Sequence, residues 1–79
     1  MTYGYSQSLV AANKKANAKS LGVALGRFCV VRGISAMKVA EALGVSRTTV
    51  YNWFVGEFTP SPDHSEQIER FMARHKKHG

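Results

Sequence analysis

Arg47, Thr48, Tyr51 and Asn52 span six positions, and each ends in hydrogen-bonding groups. On a helix that advances about 100° per residue they project to one side, and Val50, Trp53 and Phe54 project to the other. An arginine can pair bidentately with guanine, an asparagine with adenine, and a threonine methyl can touch the methyl of thymine. A helix buried on both sides would not carry such a set. Other chemistries lack their partners. His64, His75 and His78 have no cysteine beside them and no closed ligand set for a metal. Asp63 and His64 are neighbours at a helix start, and no serine is held against them as a triad. The glycine spacing matches no phosphate-binding loop. We therefore expect no catalysis, no cofactor and no small-molecule ligand.

The elements that must position this set follow from apolar spacing and helix caps. Ser35 is a candidate N-cap for a helix over Ala36–Leu43, with Val39, Ala40 and Leu43 facing inward and Gly44 ending it. Val45 bridges to Ser46, the candidate N-cap of a helix from Arg47 to about Val55, which Gly56 stops. Two short helices crossing steeply need a small residue where they touch and a glycine in the turn; Ala40 and Gly44 are those residues. Upstream, Ser20–Arg32 reads as the first firm helix, with Leu21, Ala24, Leu25 and Phe28 on one face and Gly33 as the C-cap. Val23, Gly26 and Val30 form a second strip that needs a cover, either the 9–19 segment or a second subunit. Downstream, the two prolines of Thr59–Pro62 make a turn. Ser61 then caps a last helix over Pro62–Lys76, whose stripe is Ile68, Phe71 and Met72. Acids gather near its start and cations near its end, in the order the helix dipole favours.

Residues 1–19 admit two readings, and both stay open. Met1–Ser8 is an irregular arm; Leu9–Lys19 is either a weak helix capped by Ser8, with Leu9, Ala12 and Ala16 on one side, or an arm that orders against a partner. No segment alternates as a strand does. The expected fold is all-α and compact, of four or five helices: four over residues 20–79, and a fifth if the 1–19 segment supplies one.

Charge points to the partner. The 79-residue chain carries a net +6. Residues 1–56 hold seven basic side chains against one acid, Glu41, and residues 57–79 hold four of each. The excess lies with the hydrogen-bonding helix, as an anionic partner requires. A domain this small is marginal alone, which favours well-matched helices or a second subunit. Cys29 is the one cysteine, so no intrachain disulfide forms, and its apolar neighbours point to a buried, inert thiol. No signal peptide and no apolar run of about 18 residues is present, so a cytoplasmic location is expected.

Residues 36–53 resemble the Cro/repressor (XRE-type) helix-turn-helix family. Arg32-Gly33-Ile34-Ser35 is similar to that family's lead-in, and Trp53 to Ser61 to its W-x-x-G-x-x-x-P-S exit. The resemblance implies binding of double-stranded DNA by a phage or bacterial regulator, with the third helix in the major groove. It implies base contacts from Arg47, Thr48, Asn52 and Tyr51. It implies phosphate contacts at the backbone of Ser35 and Ala36 and at Ser46, Lys38, Thr49 and Arg32. Lys14, Lys15 and Lys19 are a candidate DNA arm, and Phe54, Val55 and Phe58 a candidate homodimer interface. Three departures stand out. Ala36 replaces a frequent glutamine, Glu57 and Phe58 replace a basic loop, and only one helix fits after Pro60, so the 9–19 segment is the candidate for the missing helix. Three alternatives keep similar sequence features: an excisionase-like accessory that bends DNA, an antitoxin or inhibitor that binds protein, and a nonspecific basic peptide on RNA or membranes.

Overall fold

The computed structural model describes residues 5–17 and 19–76, and among them five helices and no strand. The helices are α1 (Gln7–Lys15), α2 (Leu21–Arg32), α3 (Ala36–Leu43), α4 (Arg47–Phe54) and α5 (Pro62–Lys76). Residues 1–4 of the expected Met1–Ser8 arm, and His78, lie outside the described residues.

α2 is the central helix, packed against α1, α4 and α5. This changes which of its faces is deepest. Gly22, Val23, Leu25, Gly26 and Cys29 are buried, whereas Leu21, Ala24 and Phe28 of the expected face remain half-exposed. The cause is close approach. A Cβ on Gly22 would lie 2.8 Å from Trp53 Cβ and 2.9 Å from the Trp53 carbonyl oxygen. A Cβ on Gly26 would lie 2.5 Å from Asn13 Nδ2 and 2.9 Å from Phe54 Cγ. The two glycines, one turn apart, let α4 lie directly on the α2 backbone.

α1 settles the two readings of residues 9–19 in favour of a helix, but a shifted one. Its cap is Ser6 rather than Ser8: Leu9 N–H donates to Ser6 Oγ at 3.1 Å. It ends at Lys15, and Asn17 turns the chain by accepting from Lys19 N–H at 2.9 Å. Two features tie it down. Asn13, buried at 3% exposure, donates from Nδ2 to Val23 O at 3.1 Å and to Phe54 O at 2.6 Å. Arg27 Nη2 donates to the carbonyls of Asn13, Lys14 and Ala16, groups that a helix end leaves unpaired. Tyr5, expected in an irregular arm, belongs to the core: its hydroxyl donates to Ile34 O at 2.6 Å and its ring lies 5.9 Å from that of Phe54. α1 therefore supplies the fifth helix from the N-terminal side, while α5 is the one helix after Pro60.

The remaining core joins Val39, Ala40 and Leu43 of α3 to Val50, Trp53 and Phe54 of α4 and to Ile68 and Phe71 of α5. Ser61 caps α5 by accepting from His64 N–H at 3.3 Å, and the His64 ring packs 5.3 Å from that of Trp53. Ser20 precedes α2 in the cap position without a side-chain cap bond.

Two predictions follow from this packing. Gly22→Ala should lower stability by about 1–3 kcal/mol in urea unfolding, because the displaced atoms include Trp53 backbone and the overpacking outweighs the roughly 1 kcal/mol helix-propensity gain. A variant as stable as the parent would contradict the close contact. The second concerns pH. Burial pushes the Cys29 thiol up to about 12. Burial likewise raises the Tyr5 phenol, with smaller contributions from Cys29 and Tyr51. Both acids keep their protons in the folded state after the unfolded chain begins losing them, so their stabilisation is complete below about pH 9 and falls as pH rises. The unfolding free energy from urea titrations should fall from about pH 9 upward, by up to about 1.4 kcal/mol per pH unit for each group once the unfolded chain has lost that proton, and Cys29→Ala should remove part of the fall. A flat profile to pH 11 would count against buried protonated groups.

Candidate nucleic-acid interface

The turn between α3 and α4 is set by Gly44, whose φ of +70 an L side chain would resist. Gly44 N–H and Val45 N–H both donate to Ala40 O, closing the end of α3. Each helix then starts on a serine. Ser35 Oγ accepts from Lys38 N–H at 3.2 Å, and Ser46 Oγ accepts from Thr49 N–H at 3.1 Å. Ser46 Oγ also lies 3.0 Å from Thr49 Oγ1.

α4 divides as its sequence spacing requires. Val50, Trp53 and Phe54 are buried, Arg47, Thr48 and Tyr51 are exposed, and Asn52 is half-buried. No acid among the described residues pairs with Arg47, so its guanidinium is available. Tyr51 borders a shallow groove with Tyr5, Ser6 and Leu9, so the start of α1 flanks the outward face of α4. The far end of α4 is closed by backbone bonds, with Glu57 N–H donating to Asn52 O at 2.9 Å, and by the Asn13 amide on Phe54 O.

The other candidate positions surround this face unevenly. Lys38 is exposed on the first turn of α3, while Ala36 is 3% exposed as a whole residue and presents little surface of its own. Thr49 is half-buried against the Ser46 cap. The Arg32 guanidinium lies 4.4 Å over the Phe28 ring at the end of α2. Lys14 and Lys15 are exposed on the last turn of α1, and Lys19 is exposed in the turn that follows. Phe54 is corrected: it is 0% exposed, packed on Tyr5 and Gly26, and so is part of the core rather than a subunit interface. Val55 is half-buried, and Phe58, at 61% exposure, is the one of the three that presents a large apolar surface. Sequence spacing missed Tyr5 and Asn13, which tie the start of the chain and α1 to Phe54 of α4, and Arg27, which ties α2 to the end of α1. The available signal was an asparagine inside an alanine-rich helix, and that alone does not reveal a partner 41 positions away.

This geometry agrees with an independent comparison: a helix-turn-helix family model matches residues 32–75, more than half of the chain. The chain belongs to the helix-turn-helix family. The match runs from the last residue of α2 into the last turn of α5, and it is the XRE type that residues 36–53 resemble. No curated protein and no solved structure matches. A helix-turn-helix chain of this family is a DNA-binding regulator. Among the described residues no three His, Cys, Asp or Glu side chains cluster as a metal site, and no helix is long and apolar enough to cross a membrane.

Because Ser46 caps the turn that presents Arg47 and Thr48, Ser46→Ala should cost about 1 kcal/mol of stability. Amide exchange should accelerate at residues 47–49 before it does at Val50 and Trp53. Unchanged exchange there would show that the cap does not hold the presenting turn.

Proposed function

We propose that this protein is a sequence-specific regulator of the Cro/repressor kind that reads double-stranded DNA by inserting α4 into the major groove. The observation that supports this reading is the composition of α4's outward side: Arg47, Thr48 and Tyr51 exposed, and Asn52 at its edge, on a helix whose opposite side is wholly buried. Arg47, Thr48 and Asn52 read base edges, with Tyr51 beside them. The start of α3 takes a phosphate on the backbone N–H groups near Ser35 and Ala36, with Lys38, Thr49, Ser46 and Arg32 adding contacts to neighbouring phosphates. The helix-turn-helix acts by occupancy of an operator rather than by catalysis.

Useful affinity from one small module calls for a second copy, and two copies would read half-sites about one helical turn apart. With Phe54 committed to the core, Phe58 and the exposed part of Val55 are the residues left for that contact. The setting that fits is a phage or bacterial cytoplasm, at the nucleoid.

Selection from random duplexes should recover a preferred site, and a palindromic one if two copies bind. On that site Arg47→Ala should cost about 1–3 kcal/mol and relax the sequence preference. Lys38→Ala should weaken all duplexes alike and make the salt dependence shallower by about one unit of slope. If Arg47→Ala binds the selected site as tightly as the parent, α4 does not read it.

A further inference from the structure

α1 precedes the segment matched to the family, yet it is built onto both ends of the helix-turn-helix. At its start, the Tyr5 hydroxyl bonds to Ile34 O, next to the cap of α3. At its end, the Asn13 amide bonds to Phe54 O, the last residue of α4. A Cβ on Gly56, just beyond α4, would lie 3.4 Å from Ala16 Cβ. α1 thus runs as a strap from the beginning of α3 to the end of α4.

The charge on the strap is one-sided. Residues 1–40 contain six basic side chains and no acid. Lys14 and Lys15 immediately follow the Asn13 clasp, both are exposed, and among the described residues no acid pairs with either. The four residues after α4 are Val55, Gly56, Glu57 and Phe58, which give that end no cation of its own. α4 has eight residues, about 12 Å of helix, and the major groove is about 12 Å wide. A helix of that length entering by its first turn leaves its far end level with a phosphate strand.

Resting on the groove reading of α4, we infer that the end of α1 is a second contact to the DNA backbone, in which Lys14 and Lys15 neutralise phosphates beside the far end of α4. Asn13 and Arg27 are positioning residues for it: one fixes α1 to α4, and the other satisfies the carbonyls of the turn that carries the two lysines. The contact is rigid and sequence-independent. It tightens every duplex equally, and it leaves discrimination to Arg47, Thr48 and Asn52.

The test is a salt titration of affinity on the selected site and on an unrelated duplex. Lys14→Gln with Lys15→Gln should make the slope of log affinity against log salt shallower by about two and weaken both duplexes by the same factor, because each phosphate contact contributes about 0.9 to that slope. Circular dichroism and the urea midpoint confirm that the double variant is folded. Arg74→Gln with Lys76→Gln removes the same charge from α5 and should leave the slope near that of the parent. An unchanged slope in the α1 variant, or an equal loss in the α5 variant, overturns the inference. Arg47→Ala run alongside separates the two readings: if it abolishes discrimination while the α1 slope is unchanged, only the strap contact fails; if it leaves discrimination intact, the groove reading fails with it.

Discussion

The structure depends on the distance between α2 and α4. Two glycines one turn apart on α2 leave no side chain between the helices, and the Trp53 and Phe54 end of α4 comes down onto the bare backbone. That contact fixes the rotation of α4 about its own axis. With Val50, Trp53 and Phe54 turned inward, Arg47 and Thr48 face solvent or a ligand, and Tyr51 lies at the edge beside the start of α1. The Asn13 amide occupies the remaining space beside Gly26 and uses both of its hydrogens on carbonyls from different helices. A buried amide is tolerated because it is fully engaged as a donor, and an engaged polar group specifies one arrangement more sharply than an apolar filler would.

What the sequence made legible was local. The serine caps of α3 and α4, the glycine turn and the division of α4 into two sides all arise from residues within a few positions of each other, and helix geometry alone relates them. Ser61 and Pro62 marked the start of α5 in the same way. The illegible part was long-range and polar. Tyr5 meets Ile34 across 29 positions and Asn13 meets Phe54 across 41, so no window of sequence contains either pair. The same blindness misplaced Phe54. Its neighbours Val55 and Phe58 made it look like part of a surface cluster, but Tyr5, Asn13 and Gly26 enclose it. The deepest side of α2 was misread for a related reason: Gly22 and Gly26 carry no hydrophobic signal, yet they mark the tightest contact.

The domain solves the problem of its size by wrapping. α1 adds little apolar burial of its own, but Arg27 closes its last turn and Tyr5 joins its first residues to the core. The arrangement sets the acid-free α1 beside the outward side of α4 and leaves most of the acids to α5 and the loop before it. A field of that shape orients an approaching polyanion toward α4 before any base is read.

The most direct measurement of the central claim is an amide chemical-shift titration of the protein with a duplex carrying its selected site. The account predicts the largest changes at residues 35–38 and 46–52, smaller ones at Lys14 and Lys15, and nearly none at Val23, Cys29 and the exposed residues of α5. Changes concentrated on α5 or around Val31 of α2, with residues 46–52 silent, would contradict it.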